Sequence, residues 1–143
     1  MTKAESKVID FIKKHILLFL LVAVTIIAIF LRVCGMDFQS DDFNSFLNSW
    51  WSIIKLNDFT GLATQVGNYN IPYQIIIYLM TLLPLNALYA YKIVSIIFDF
   101  VLAISTAMLA YSYAKNNRRL KAILTYSAVL LSATVIFNSS FWA

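Results

Sequence analysis

The chain has 143 residues, of which 61% are hydrophobic and 13% charged, with a formal net charge of +4. An average soluble domain is about 45–50% apolar and about 25% charged, so this charge content cannot cover a water-exposed surface and excludes a cytosolic globular domain. Three glycines, two prolines and the lone Cys34 exclude collagen-like, low-complexity and disulfide-framework classes, and one His with one Cys excludes an intrachain His/Cys zinc site.

The pattern predicts an all-α membrane protein of one domain with about three transmembrane helices. Residues 1–15 form a basic N-terminus, and residues 16–34 the first span, with Arg32 as its only charge. Lys13, Lys14 and His15 precede that span like the start of a signal peptide. The apolar run, however, exceeds the usual h-region of about 7–15 residues and no A-x-A-like site follows, so the helix is read as retained. Residues 35–87 form the next segment, between the first and second spans.

Within it, Phe43, Phe46, Leu47, Trp50, Trp51 and Ile54 recur at helical spacing, opposite Asn44, Ser45, Asn48, Ser49, Ser52 and Lys55. This predicts an amphipathic helix over 43–56, capped by Asp41 or Asp42 and lying flat at the headgroup level, where paired Trp rings are at home. Both carboxylates are then held near the headgroup plane, where a base can reach a lipid headgroup and a water-side acceptor. The N-cap is the commoner fate of such an Asp.

The apolar run over 71–83 has Pro72 near its start and Pro84 just beyond it. It is too short to cross, which predicts an interfacial helix, with Pro72 holding Ile71 extended. A second span follows at 88–114 and carries Lys92 and Asp99. These lie seven residues apart and about 10 Å along the axis, too far for an easy pair. Lys92 is expected to snorkel. Asp99 lies near mid-membrane with no cation of this chain at its depth, Arg32 being placed at the far end of the first span. A role in holding helix to helix is favoured over proton relay. A basic loop at 115–121, a third span at 122–138 and a short end at 139–143 complete the chain.

Charge decides the number of crossings. Lys3, Lys7, Lys13 and Lys14 and then Lys115, Arg118, Arg119 and Lys121 account for eight of the eleven cations. Three spans put both clusters in the cytoplasm, as the positive-inside bias requires, whereas four would place the second cluster outside. The N-terminus is therefore cytoplasmic, the protein is a multi-pass protein of the cell membrane, and residues 35–87 face outward. Asp37, Asp41, Asp42 and Asp58 lie in this outer segment. The basic balance reflects topology and lipid headgroups as partners, with no nucleic acid. Cys34 falls outside and is discounted as a palmitoylation site. Nucleotide-binding and hydrolase motifs are absent.

Several features stand in a telling order: a first span bearing Arg32, the motif SDDF at 40–43, a Trp-bearing amphipathic helix, and GNYNIPYQ at 67–74. YKIVSIIFDF at 91–100, a basic loop and FNSSFW at 137–142 follow. This order resembles the N-terminal part of the GT-C superfamily, specifically bacterial multi-span glycosyltransferases that use polyprenyl-phosphate sugars. The resemblance implies an inverting transfer at the outer face, with Asp42 as general base on the acceptor hydroxyl and Asp41 beside it. It implies Arg32 as the group that neutralises the leaving phosphate, and Trp50, Tyr69 and Tyr73 as substrate contacts. No cofactor is read from the sequence, and a divalent cation stays open.

Such enzymes have eight or more spans, and their NSSFW segment continues into Gly-Gln and an acidic motif. The chain is therefore expected to be a truncated transferase, to be completed by a C-terminal part or a larger membrane partner. Two other readings stand beside it: a non-catalytic scaffold or accessory subunit of envelope polysaccharide assembly, and a small proton-coupled carrier using Asp99.

Overall fold

The computed structural model describes residues 3–142 and contains helices and no strand among them. The helices are α1 (Lys3–Val33), α2 (Asn48–Asn57), α3 (Ile71–Thr81), α4 (Ala87–Tyr113), α5 (Arg118–Leu130) and α6 (Ala133–Ser140). Helices α1 and α4 are long and apolar enough to cross a membrane. Helices α5 and α6 qualify only as a pair, bent by 49°. The stretch expected as a third span is thus interrupted rather than one continuous helix. Helix α3, at 11 residues, rises about 17 Å and is too short to cross a hydrocarbon core of about 30 Å.

Two boundaries differ from the sequence reading. Helix α1 begins at Lys3 rather than residue 16, because its charged first turns are good helix formers with solvent on most sides. Helix α5 takes in Arg118, Arg119 and Lys121, so the basic loop shrinks to residues 114–117. Asn117 closes it in the left-handed conformation, at φ 50°, which Asn tolerates better than most residues. Asn86 caps α4 by accepting the Tyr89 N–H at 2.9 Å. Asn70, not Ile71, is the extended residue before α3 (ψ 161°), so Pro72 falls inside the first turn, where its missing N–H costs nothing.

Two cores form. Where α5 packs against both long helices, Ala28 of α1 and Ala103 of α4 are fully buried beside Val24, Tyr126 and Leu130; small side chains let neighbouring helix backbones approach closely. Thr25 and Tyr126 hydroxyls meet there at 3.0 Å, and Thr25 also donates to Leu21 O. Outward-facing residues such as Ile26, Phe30, Phe98 and Met108 remain exposed, as a lipid-facing surface requires.

The second core sits at the opposite end from the basic clusters. Phe43, Leu47, Trp51 and Ile54 are buried in it with Ile77, Met80, Leu88 and Tyr91. The amphipathic segment opens on a π-helical turn, Phe43–Leu47, and continues as α2. Its apolar stripe therefore packs on α3 and α4 instead of facing lipid along its length. Burying each large side chain contributes about 1.5–3 kcal/mol, and protein contacts claim four of the six apolar positions. Phe46 and Trp50, on the edge of the stripe, stay partly open.

Candidate functional site

Charges fasten this end of the bundle. The Arg32 guanidinium is 1% exposed and donates through Nε and Nη2 to Asp99 Oδ2 at 3.1 and 2.8 Å. Its Nη1 donates to the carbonyls of Ala28 and Leu130 at 3.0 and 3.1 Å. Leu130 ends α5, where the bend frees its carbonyl from the helical ladder, and Arg32 takes up that unpaired acceptor. Lys92 is fully buried, and its Nζ donates to the carbonyls of Gly35 (2.7 Å) and Phe38.

Three expectations are corrected here. Asp99 has a partner within the chain. The first turns of α4 project past the end of α1, as the Lys92 contacts show, and this brings Asp99 level with Arg32. Arg32, expected to neutralise a leaving phosphate, is here engaged by Asp99 on one side and by two backbone carbonyls on the other, and does not line the Asp42 cavity. Lys92 does not snorkel; it stays inside and fastens the segment that follows α1. The seven-residue spacing does place Lys92 and Asp99 on one face of α4, and each meets a different partner near the end of α1.

The cap is corrected as well. Neither aspartate caps the amphipathic segment. Ser40 does, accepting the Phe43 N–H on Oγ at 3.0 Å. That releases both carboxylates. Asp41 is exposed, whereas Asp42 is half-buried and lies on the wall of a cavity of about 430 Å³ with Phe46, Trp50, Gly67, Tyr69 and Trp142. The Asp42 carboxylate accepts no hydrogen bond from a described residue.

The aromatic walls are mutually braced. Trp50 meets Tyr69 edge-on at 5.4 Å, and Tyr69 lies 4.6 Å from Tyr73, separations at which ring pairs are stabilising. Gly67 is required beneath them. Its φ is +71°, and a Cβ there would come within 2.3 Å of the Trp50 ring. A second cavity of about 350 Å³ lies beyond Leu47 and Trp142, lined by Tyr73, Tyr91, Ser95 and Asn138. Burial, with Tyr69 beside it, pushes the Tyr73 hydroxyl up to about 12, so it stays protonated and able to donate at any ordinary pH.

The structure thus brings Asp42, Trp50 and Tyr69 to one cavity and Tyr73 to its neighbour, while Asp41, Arg32, Lys92 and Asp99 lie elsewhere. Gly67, Phe46 and Trp142 complete the walls; GNYN and FNSSFW were the signals that pointed to two of them. Among the described residues no group of three or more His, Cys, Asp or Glu side chains comes together. Compared with known proteins, the chain matches no protein-family model, no curated protein and no solved structure.

Proposed function

We propose that this chain is the N-terminal part of an integral membrane glycosyltransferase of the GT-C kind, with Asp42 as its general base. One observation carries the reading: a half-buried carboxylate with unspent acceptor capacity on the wall of an aromatic cavity. A sugar ring presents a C–H face that packs on aromatic rings and hydroxyls that need acceptors, and this cavity offers both. Its volume of about 430 Å³ falls within the roughly 300–1,000 Å³ typical of ligand sites.

In the proposed reaction an acceptor hydroxyl attacks the anomeric carbon of a polyprenyl-phosphate sugar. Its proton passes to the Asp42 carboxylate, the bond from carbon to phosphate oxygen breaks, and polyprenyl phosphate leaves with inversion. The neighbouring cavity, with protonated Tyr73, is a place for a second polar part of the substrate pair. Under the positive-inside bias the basic end of the bundle is cytoplasmic, and the site faces outward.

The test is lipid-linked sugar transfer in membranes that hold this chain together with any helices that complete it. Asp42→Asn is expected to lower turnover about 10²–10⁴-fold, and Asp41→Asn to change it little, because Asp41 lies off the cavity. Full turnover in Asp42→Asn would remove the base. Tolerance of alanine at both positions, with co-purification of a larger membrane protein, would favour the accessory-subunit reading.

A further inference from the structure

The opposite end of the bundle carries a second set of cavities that glycosyl transfer does not use. An apolar groove of about 530 Å³ runs between α1, α4 and α5, lined by Leu21, Ile104, Ala107, Met108 and Ile123 among others. It continues into a cavity of about 490 Å³ that shares Leu21, Tyr111, Ala122 and Ile123 with it and adds Lys13, Lys14, His15 and Arg119. Lys115 and Arg118 line a third cavity beside Tyr111 and Arg119.

Arg118 is committed to the protein. Its Nε donates to Tyr111 O at 2.9 Å and its guanidinium lies 4.7 Å from the Tyr111 ring centre, which fixes the wall between the cavities. Lys13, Lys14, Lys115 and Arg119 form no ion pair among the described residues, where Arg32–Asp99 is the ion pair present. Asp10, one turn from Lys13 and Lys14, is not among the lining residues. A long apolar slot therefore opens into a set of cations with their charge unspent.

We propose that this cleft binds one anionic phospholipid, its phosphate headgroup against Lys13, Lys14 and Arg119 and an acyl chain in the groove beside Ile104 and Met108. The dimensions agree: from Lys14 to Thr25, at the inner end of the groove, α1 rises about 16 Å, comparable to a lipid tail. The partner is distinguished by charge as well as by apolar surface, because a zwitterionic lipid fills the same groove without meeting the excess of cations. Held there, the lipid stitches α1 to α4 and α5 at an end where the described residues show no ion pair between these helices.

The measurement is native mass spectrometry and thermal unfolding of the purified full chain in detergent. It is titrated with phosphatidylglycerol, with phosphatidylcholine of the same acyl chains, and with inorganic phosphate. One phosphatidylglycerol is expected to remain bound, at least tenfold tighter than phosphatidylcholine, with a raised melting temperature, while inorganic phosphate leaves melting unchanged. The double variant Lys14→Gln/Arg119→Gln, at exposed positions, is expected to lose about 30-fold in phosphatidylglycerol affinity and nothing toward phosphatidylcholine. Ile104→Trp, which fills the groove, is expected to weaken both lipids. Equal binding of the two lipids overturns the proposal, as does a charge variant that keeps its preference. Stabilisation by phosphate alone overturns it too, by reducing the site to an ion-binding patch without a tail groove.

Discussion

Replacing Asp99 by Asn tests the frame that positions the candidate site. The change keeps the side-chain shape and leaves Arg32, 1% exposed, as a buried cation with no counter-ion. Arg32 cannot relieve the loss by deprotonating. Its two carbonyl contacts, to Ala28 and Leu130, remain, but both contacts to Asp99 Oδ2 lose their charge. Breaking a buried pair from one side costs about 3–5 kcal/mol, whereas replacing both members by apolar groups of similar volume is close to neutral. Asp99→Asn is therefore expected to lower the folding equilibrium constant by about 10²–10⁴-fold. Arg32→Met should cost less, because the Asp99 side chain, 15% exposed against 1% for Arg32, is less completely removed from solvent. The double variant Arg32→Met/Asp99→Leu should recover most of the loss. Equilibrium unfolding in mixed micelles of dodecyl maltoside and dodecyl sulfate, followed by far-ultraviolet circular dichroism, yields all three values, and the single change Asp99→Leu closes the cycle that gives the coupling. A cost below about 1 kcal/mol for Asp99→Asn, or additive single changes, would show that the pair does not bear on stability.

Three further outcomes follow from the same end of the bundle. Gly67→Ala, at φ +71° and 2.3 Å from the Trp50 ring, should destabilise by about 2 kcal/mol and move Trp50, read as a lower melting temperature and a shifted tryptophan emission; an unchanged spectrum would refute the close approach. Lys92→Met leaves the Phe38 carbonyl without its donor and the Gly35 carbonyl with only the Phe38 N–H, at about 1–3 kcal/mol in all, and should speed proteolysis between residues 34 and 42. Ser40→Ala removes the cap on the Phe43 N–H and should cost about 1 kcal/mol, whereas Asp41→Ala and Asp42→Ala should cost less in the same melts.

What local chemistry controls was readable from the residues. Helical spacing from Phe43 to Ile54 marked the amphipathic segment to within a residue or two, and the short apolar run flanked by prolines marked α3. The break between α5 and α6 was not readable, because no proline or glycine stands at residues 131–132. It persists because a guanidinium from another helix meets the freed carbonyl of Leu130, and that partner lies 98 residues away in the chain. The level of Asp99 escaped for the same reason. The starts of the apolar runs set Asp99 deeper than Arg32, whereas the actual offset between α1 and α4 follows from Lys92 reaching back to residues 35 and 38. The choice between Asp41 and Asp42 also turned on a neighbour: once Ser40 takes the cap, burial alone separates the two.

These particulars bear on which polar groups are available for chemistry. At this end of the bundle Arg32 and Lys92 are buried and Asp99 is half-buried, and each is spent on ion pairing or backbone carbonyls. A buried charge without such partners would cost several kcal/mol, so these residues hold the frame and have little left to offer a substrate. The chain from Gly35 to Asp42 is fastened at both ends, by Lys92 through the Gly35 and Phe38 carbonyls and by Ser40 through the Phe43 amide. Asp42 thus inherits a fixed position from groups that are not themselves reactive. Its own carboxylate, half in water and half against aromatic rings, keeps its acceptor capacity. A rigid support around an uncommitted acid is the arrangement that general-base catalysis requires.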